Sequence, residues 1–232
     1  MLKTQGGSII NKMIKIDLNK NLDYEVYADF WDFSVAGANF AELIKNDHPE
    51  IDLKNYKKYI DDFYDVQKSE MLKRQEEIKL ALIEKQERFF TELTKLFNMN
   101  FDKDAYQGYL SIFNCNPRWP ETKTFQIYWQ KDLPHALEVI FHESLHFAFF
   151  EYLDKNFANQ VKGLNKNSGV LWELSEIFNV IILNLPQFRE IIGIEENLFY
   201  SELQEKLLEA RSIWNSSGEV REFVDKYLKQ YS

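Results

Sequence analysis

The stretch VIFHESLHFAFF, residues 139–150, places His142, Glu143 and His146 inside an otherwise apolar run. The chain has only four histidines among its 232 residues, so two of them in one apolar segment form a distinctive pattern. Unpaired polar groups are costly in such surroundings, because burial removes their hydrogen bonds to water. The stretch therefore predicts a largely buried helix whose polar residues have a specific partner.

A zinc ion is the partner that this spacing predicts. On a helix, His142 and His146 project from the same face one turn apart, close enough for both imidazoles to hold one ion. Glu143 is rotated by about 100° from His142, because an α-helix has 3.6 residues per turn. Zinc with two histidines and one further protein ligand keeps an open position for water and lowers the pKa of that water to about 7. We therefore expect Glu143 beside the ion, as the general base that takes the proton of this water.

A second apolar helix, GVLWELSEIFNVIILNL at residues 169–185, offers the third ligand. Glu173 and Glu176 are three residues apart and share a face, with Asn179 one turn further along it. Two carboxylates on so apolar a helix indicate an ion shared with the histidine helix. We predict Glu176 as the ligand, since it lies nearer the middle of the helix. Glu173 is then a partner for an imidazole N–H or for the substrate's amine, and the two roles can be exchanged.

Other interpretations use the same residues. The two histidines could be core residues satisfied by salt bridges to Glu143 or Glu138, while Glu173 and Glu176 lie at an exposed helix start. A closed fourth coordination position would indicate structural zinc in a non-catalytic interaction protein, whereas an open position facing a cleft indicates catalysis. A zinc hydrolase of non-peptide amide bonds would need identical residues.

The composition limits the class of protein. The chain is 45% hydrophobic and 16% aromatic, which is enough for a packed interior. Its net charge of −9 argues against a nucleic-acid surface, which needs clustered Lys and Arg. The single Cys115 excludes an internal disulfide and a thiolate zinc cage. Neither a signal-peptide h-region nor a run of about 18 apolar residues occurs. We expect a cytoplasmic protein without nucleic-acid or membrane partners.

The apolar periodicity predicts a mostly helical α+β protein. Residues 13–35 carry alternating runs typical of one or two strands joined by a turn at residues 19–21, after a loose first dozen residues. Residues 53–98 predict one long or two consecutive amphipathic helices with a solvated charged face. These elements make up an N-terminal region at residues 1–100, and residues 101–232 make up a catalytic region, either as two domains or as one continuous domain.

The catalytic region begins with residues 108–130, which predict two strands around a Pro-containing loop. Asp132 is expected to cap the histidine helix, which has Pro134 in its first turn and runs to about Tyr152. Pro186 helps to end the second apolar helix. Two more helices are expected to close the chain, the last of them opened by a capping box of Ser216 and Glu219.

His142-Glu-Ser-Leu-His146, followed by a glutamate on the next helix, resembles the gluzincins, which are zinc metallopeptidases of the thermolysin-like kind. The resemblance covers roughly residues 108–185. It implies that His142 and His146 are ligands, that Glu143 is the general base and that a glutamate of the second helix is the third ligand. The metzincins differ, because the residues after His146 lack their Gly and third His.

The resemblance also implies a zincin-like catalytic unit with a small antiparallel sheet. The edge strand of such a sheet, here TFQIYWQ at residues 124–130, would bind an extended substrate through backbone hydrogen bonds. The Asn-Glu-three-residues-Asp form of many gluzincins is absent, since Ile177 and Val180 stand where its Asp would be. The carboxylate partner of the first histidine is therefore unassigned.

Stabilising the oxyanion at the attacked carbonyl needs a donor such as Tyr, His or Arg, and the chemistry fixes no sequence spacing for it. Tyr200 is the first candidate. His48 is expected at the surface. Arg118 and Trp119 are expected in a loop that borders the cleft or packs beside it. The other candidate donors are Tyr128, Arg189 and His135.

The sequence thus predicts a zinc-dependent metallopeptidase that hydrolyses peptide bonds by attack of a metal-bound water, with a peptide or protein as substrate. It could trim peptides or cleave one specific protein, as the metallopeptidases that cut phage repressors do. Residues 1–50 precede the catalytic region and could cover its cleft as a latency segment.

Overall fold

The fold combines eight α-helices with two small sheets over residues 13–231, which are the residues that the computed structural model describes. It is mostly helical, and the predicted α+β class is confirmed at this level. In chain order the elements are β1 (Lys15–Leu18), α1 (Lys20–Phe30), β2 (Ser34–Val35), β3 (Ala38–Asn39), α2 (Phe40–Asp47), α3 (Tyr56–Phe97), β4 (Gln107–Ser111), β5 (Arg118–Trp119), β6 (Thr124–Tyr128), α4 (Leu133–Asn156), α5 (Gly169–Leu183), α6 (Pro186–Ile192), α7 (Gln204–Ser217) and α8 (Val220–Tyr231).

The main sheet is mixed, in the order β1-β4-β6-β5. Strands β1 and β6 run parallel to β4, and only β5 is antiparallel to its neighbour β6. The prediction of an antiparallel sheet is therefore wrong for this sheet, because the long α3 crosses between β1 and β4 and returns the chain in the same direction. The edge-strand prediction for residues 124–130 is also wrong, since β6 pairs with β4 on one side and with β5 on the other. The pairing of β1 with β4 joins both halves of the chain in one sheet.

The N-terminal region has a helix where a second strand was predicted. Asn19 opens α1, and its side chain accepts a hydrogen bond from the Asn21 N–H. The helix then buries Asp23, Val26 and Tyr27, which lie at helical spacing. Because Asp23 is polar, the apolar residues alone do not show the helical period of this buried stripe. The first dozen residues, predicted as a tail, lie outside the described residues.

Helix α3 (Tyr56–Phe97) is one continuous helix of 42 residues. It confirms the single-helix alternative of the prediction for residues 53–98. Its buried stripe includes Ile78, Leu82, Phe89 and Leu93, and it packs against α1, β1, α4 and α6. Both the sheet and the histidine helix α4 therefore pack against this long helix.

His48 is buried and not at the surface as predicted, with 4% of its area exposed. It follows α2, where its Nε2 lies 2.8 Å from the Ile112 carbonyl oxygen and its Nδ1 lies 3.0 Å from the Tyr59 hydroxyl. A histidine with a protein partner on each nitrogen can be buried without penalty. Its neighbours in the sequence are polar, and they led to the prediction that His48 is exposed.

The predicted start of the histidine helix is confirmed. The Asp132 side chain accepts a hydrogen bond from the His135 N–H, and Pro134 occupies the first turn of α4. The capping box at Ser216 is wrong, because this residue lies inside α7 and its hydroxyl donates to the Ile213 carbonyl. Gly218, at a φ of 67°, ends α7 before α8 begins.

By length and hydropathy, none of the helices in the described part of the chain could cross a membrane by itself. The α5–α6 pair, bent by 83°, passes the same test on length and composition alone, and most of α5 is buried in the protein interior.

Candidate metal centre

The histidine helix α4 is held between α3 and α5 by aromatic packing. Phe141 stacks on Phe89 of α3 with ring centroids 4.4 Å apart, and Phe149 stacks on Phe178 of α5 at 4.2 Å. Such ring pairs add to the free energy gained from burying the area. Phe149 lies one turn beyond His146 on the histidine face, so its contact turns that face towards α5, while Phe141 turns an adjacent face towards α3.

The structure brings together the three residues that the sequence predicts as ligands. The Nε2 atoms of His142 and His146 lie 2.9 Å apart. Glu176 of α5 places Oε2 at 3.5 Å from the His142 Nε2 and Oε1 at 3.5 Å from the His146 Nε2. One potential ligand atom from each residue lies within 4.8 Å of the others. His146 is completely buried and the Glu176 side chain is 5% exposed.

Glu196 supplies the carboxylate partner that the sequence left unassigned. Its Oε1 lies 3.0 Å from the Nδ1 of His142. When Nδ1–H donates to this carboxylate, the Nε2 lone pair faces His146 and Glu176, the tautomer that metal ligation requires. The Asn184 side chain fixes the loop, since it accepts from the Glu196 N–H at 3.2 Å and donates to the Glu196 carbonyl at 2.8 Å. Glu196 lies in an irregular segment after α6, so no sequence period pointed to it.

Asn179 also contributes, one turn beyond Glu176 as the sequence pattern indicated. Its Nδ2 donates a hydrogen bond of 2.8 Å to the backbone carbonyl of His142. The bond links α5 to α4 at the level of the first histidine. The bond thus fixes the position of Glu176 on α5 relative to His142 on α4.

Arg118 is the second site residue whose role the sequence did not identify. It lies on the short strand β5 and is buried, with 10% of its side chain exposed. Its Nη1 is 2.9 Å from Glu176 Oε1, and its Nε is 4.0 Å from Glu143 Oε2. The sequence placed this residue in a loop beside the cleft, but the antiparallel pairing of β5 with β6 turns it into the centre.

The buried charges shift the pKa values of both glutamates. Burial raises the pKa of Glu143 to about 7, while the Arg118 and His142 charges oppose this shift. Burial would also raise the pKa of Glu176, but the Arg118 charge and hydrogen bonds from the two histidines hold it well below its usual range. Glu176 is therefore an ionised carboxylate, and Glu143 is poised between its two protonation states near neutral pH.

The two histidines differ for the same reason. Burial and the nearby Arg118 charge hold the pKa of His146 well below its ordinary value, so this ring is neutral. Burial would lower the pKa of His142 too, but the Glu196 carboxylate and hydrogen bonds to Glu176 and Glu196 raise it well above the ordinary value. His142 thus carries a proton on both nitrogens in the metal-free protein, and a bound metal would displace the Nε2 proton, because ligating imidazoles are neutral.

The group opens on a cavity of about 480 Å³. Its polar wall includes His142, Glu143, Glu176 and Arg118, so the predicted base and two predicted ligands face the same space. Tyr200, the first candidate donor, also lines it, and burial together with the Glu176 charge raises the pKa of its hydroxyl. The apolar wall is formed by Phe40, Leu43, Cys115, Val139, Val180, Leu198 and Phe199.

Several candidates are engaged elsewhere. Glu173 forms an ion pair with Lys206 of α7, and the structure does not bring it to the histidines. The Tyr128 hydroxyl donates to Gln130. Trp119 pairs with Thr124 at the far end of β5. The remaining two are Arg189, which pairs with Glu195 on the surface, and His135, which lies at the cavity rim against Asp132.

The donor set fits zinc, since two imidazole nitrogens and one carboxylate oxygen are common zinc ligands. The buried Nδ1 of His146 and Oε2 of Glu143 have no hydrogen-bond partner within the described residues, so the centre holds more polar atoms than the protein itself satisfies. No family model, curated protein or solved structure matches this chain.

Proposed function

We propose that this protein is a zinc-dependent metallopeptidase of gluzincin-like type. The convergence of His142, His146 and Glu176, with Glu143 facing the same cavity, is the observation that carries the proposal. Two histidines and a glutamate leave an open coordination position on zinc, and a cavity beside it supports catalysis over a closed structural site.

Zinc held by these three residues would polarise the substrate carbonyl and lower the pKa of water. Glu143 takes the proton of the attacking water and returns it to the nitrogen of the leaving amine. A carboxylate beside the attacking water can accept its proton and later donate it to the amine. Glu196 keeps the His142 ring in the ligating orientation, since its carboxylate holds the Nδ1–H.

A peptide is the substrate class that the cavity favours. The apolar wall formed by residues such as Phe40, Leu43 and Phe199 can bury an apolar side chain next to the attacked carbonyl. Phe40 and Leu43 belong to α2, so the segment predicted as a latency element contributes at least part of this wall. Removing residues 1–50 would accordingly remove part of the cavity.

Metal content tests the ligand assignment. The wild-type protein, Glu176→Gln and the matched control Glu173→Gln are dialysed against zinc and analysed for bound metal. Glu173 lies on the same helix and undergoes the same chemical change, but it pairs with Lys206. We expect one equivalent of zinc in wild type and in the control, and weakened binding in Glu176→Gln. Equal zinc loss in both variants, or no zinc in wild type, would contradict the assignment.

The Glu143→Gln variant tests the base. With an unstructured protein as substrate, we expect hydrolysis to fall about 10²–10⁴-fold, the range attributed to general acid–base catalysis, while zinc is retained. The change leaves side-chain volume nearly constant, so folding is expected to persist. Full activity in this variant would remove Glu143 from the mechanism, and zinc binding without any hydrolysis in wild type would contradict the enzymatic proposal.

A further inference from the structure

Arg118 is a charged side chain in the cavity wall that the chemistry above leaves without a task. It has five N–H donors, and its ion pair with Glu176 uses Nη1. Its Nε and Nη2 are buried and have no hydrogen-bond partner within the described residues. Two donors of a permanently charged group thus remain unsatisfied beside the predicted base.

A purely structural role accounts poorly for this arrangement. An unsatisfied buried donor is costly, and the cost is greater for charged groups. The guanidinium of Arg118 is always charged in proteins. A cation with two unpaired N–H donors therefore lies beside Glu176 and Glu143.

We propose that Arg118 is the donor that stabilises the oxyanion formed from the substrate carbonyl, an inference that rests on the proposed function. In the attack, the water oxygen forms a bond to the carbonyl carbon, and the π electron pair moves to the carbonyl oxygen. The water proton goes to Glu143. In the collapse, the C=O double bond re-forms, the C–N bond breaks and the Glu143 proton goes to the amine nitrogen. Arg118 transfers no proton and stabilises the negative oxygen by charge and hydrogen bonds.

Arg118 fits this task better than the donors named from the sequence. Tyr128, Arg189 and His135 each have a partner outside the centre. Tyr200 shares the cavity, and Arg118 lies 2.9 Å from the predicted ligand Glu176 and 4.0 Å from the predicted base Glu143. A guanidinium also offers its donors in a fixed planar fork, which a hydroxyl does not.

The test compares zinc-loaded wild type with Arg118→Gln and the control Arg88→Gln, whose arginine pairs with Glu190 on the surface. Two quantities are measured: kcat and KM on a peptide, and the Kd of a peptide phosphonate whose tetrahedral anion imitates the oxyanion. We expect Arg118→Gln to lower kcat about 10²–10³-fold, as for loss of an oxyanion-hole donor, with KM little changed and phosphonate affinity lowered by a similar factor. The control should match wild type in both quantities.

Wild-type kcat and phosphonate affinity in Arg118→Gln would overturn the inference. If that variant does not fold or load zinc, Arg118→Lys is measured instead. Its ammonium can pair with Glu176 but lacks the Nε and Nη2 donors. A lowered kcat with zinc retained then supports the role, and an unchanged kcat overturns it. If wild type binds zinc without hydrolysis, the proposed function fails, and the phosphonate measurement still decides whether Arg118 binds the tetrahedral anion.

Discussion

Two buried polar clusters in this protein differ in how the chain satisfies them. In the first, both oxygens of Asp23 have protein donors. The Ser111 hydroxyl and the Gln126 amide donate to Oδ1 at 2.6 and 2.9 Å, while the Tyr64 hydroxyl and the Ile112 N–H donate to Oδ2 at 2.8 and 3.3 Å. In the candidate metal centre, by contrast, buried atoms of Arg118, Glu143, His146 and Glu196 have no such partner within the described residues, whereas in the Asp23 cluster this holds for Gln126 Oε1 alone.

Asp23 connects α1 to α3, β4 and β6, and both of its carboxylate oxygens accept hydrogen bonds from the protein. The candidate metal centre lines a cavity and has buried donors and acceptors without a partner within the described residues. Native proteins retain unsatisfied buried groups mainly where binding or catalysis uses them. The four changes that follow probe this contrast, beginning with the one expected to be largest.

Asp23→Ala should cause the largest loss of stability. The substitution leaves four donors without their acceptor in a buried site, and each such donor costs about 1–3 kcal/mol before the structure relaxes. We expect the free energy of unfolding, measured by urea denaturation, to fall by about 3–5 kcal/mol, at the upper end for a single substitution. A loss below about 1 kcal/mol would mean that this cluster does not support the fold.

The Asp23 carboxyl should also make stability depend on pH. Burial, opposed by the hydrogen bonds from Ser111 and Tyr64, raises its pKa to about 6 from the ordinary 3.8. Because the folded-state pKa is raised, the stabilisation is fully present below pH 3.8 and is lost as the pH rises through about 6. The contribution lost is up to about 3 kcal/mol, at 1.36 kcal/mol per pKa unit.

The measurement is the free energy of unfolding of wild type and Asp23→Asn between pH 4 and 7.5. The difference between the two proteins should change across this range in favour of Asp23→Asn at higher pH, since other groups titrate equally in both. A difference that stays constant with pH would show that Asp23 keeps an ordinary pKa in the folded protein.

Glu196→Gln should affect metal binding and leave the fold intact. The amide weakens the hydrogen bond to His142 Nδ1, while the backbone bonds to Asn184 still hold the loop. Loss of a partner that orients a ligand costs about 10–100-fold in metal affinity. Zinc titration against a competing chelator measures the effect, with the exposed neighbour Glu195→Gln as control. Equal affinity in all three proteins would remove Glu196 from the centre.

Asp225→Ala should have the smallest effect. Its ion pair with Lys229, at 2.6 Å, lies on the exposed face of α8, with 42% of the Asp225 side chain exposed. Exposed pairs of this spacing contribute about 0.3–0.5 kcal/mol because solvent and salt screen them. Urea denaturation should detect a loss of about 0.5 kcal/mol or less. A loss comparable to that of Asp23→Ala would mean that burial is not what distinguishes the two carboxylates.

Local patterns predicted the elements with strong periodicity. The start of α4 at Asp132 and the single long α3 follow from capping residues and apolar spacing, which act within a few residues along the chain. The same reasoning failed for Asp23 and His48. Both polar residues are buried because partners from distant segments satisfy them, and no local pattern reports such partners.

For the candidate site, the sequence by itself determined the histidine pair, the glutamate between them and a glutamate on the next apolar helix. Helical spacing fixes which of these side chains share a face. Only the tertiary structure decided that Glu176 and not Glu173 meets the histidines, that Glu196 holds His142 and that Arg118 enters the centre. These contacts join residues 30–58 positions apart, across helices, a strand and a loop. Their proximity depends on packing and strand order, which the spacing of residues along the chain does not encode.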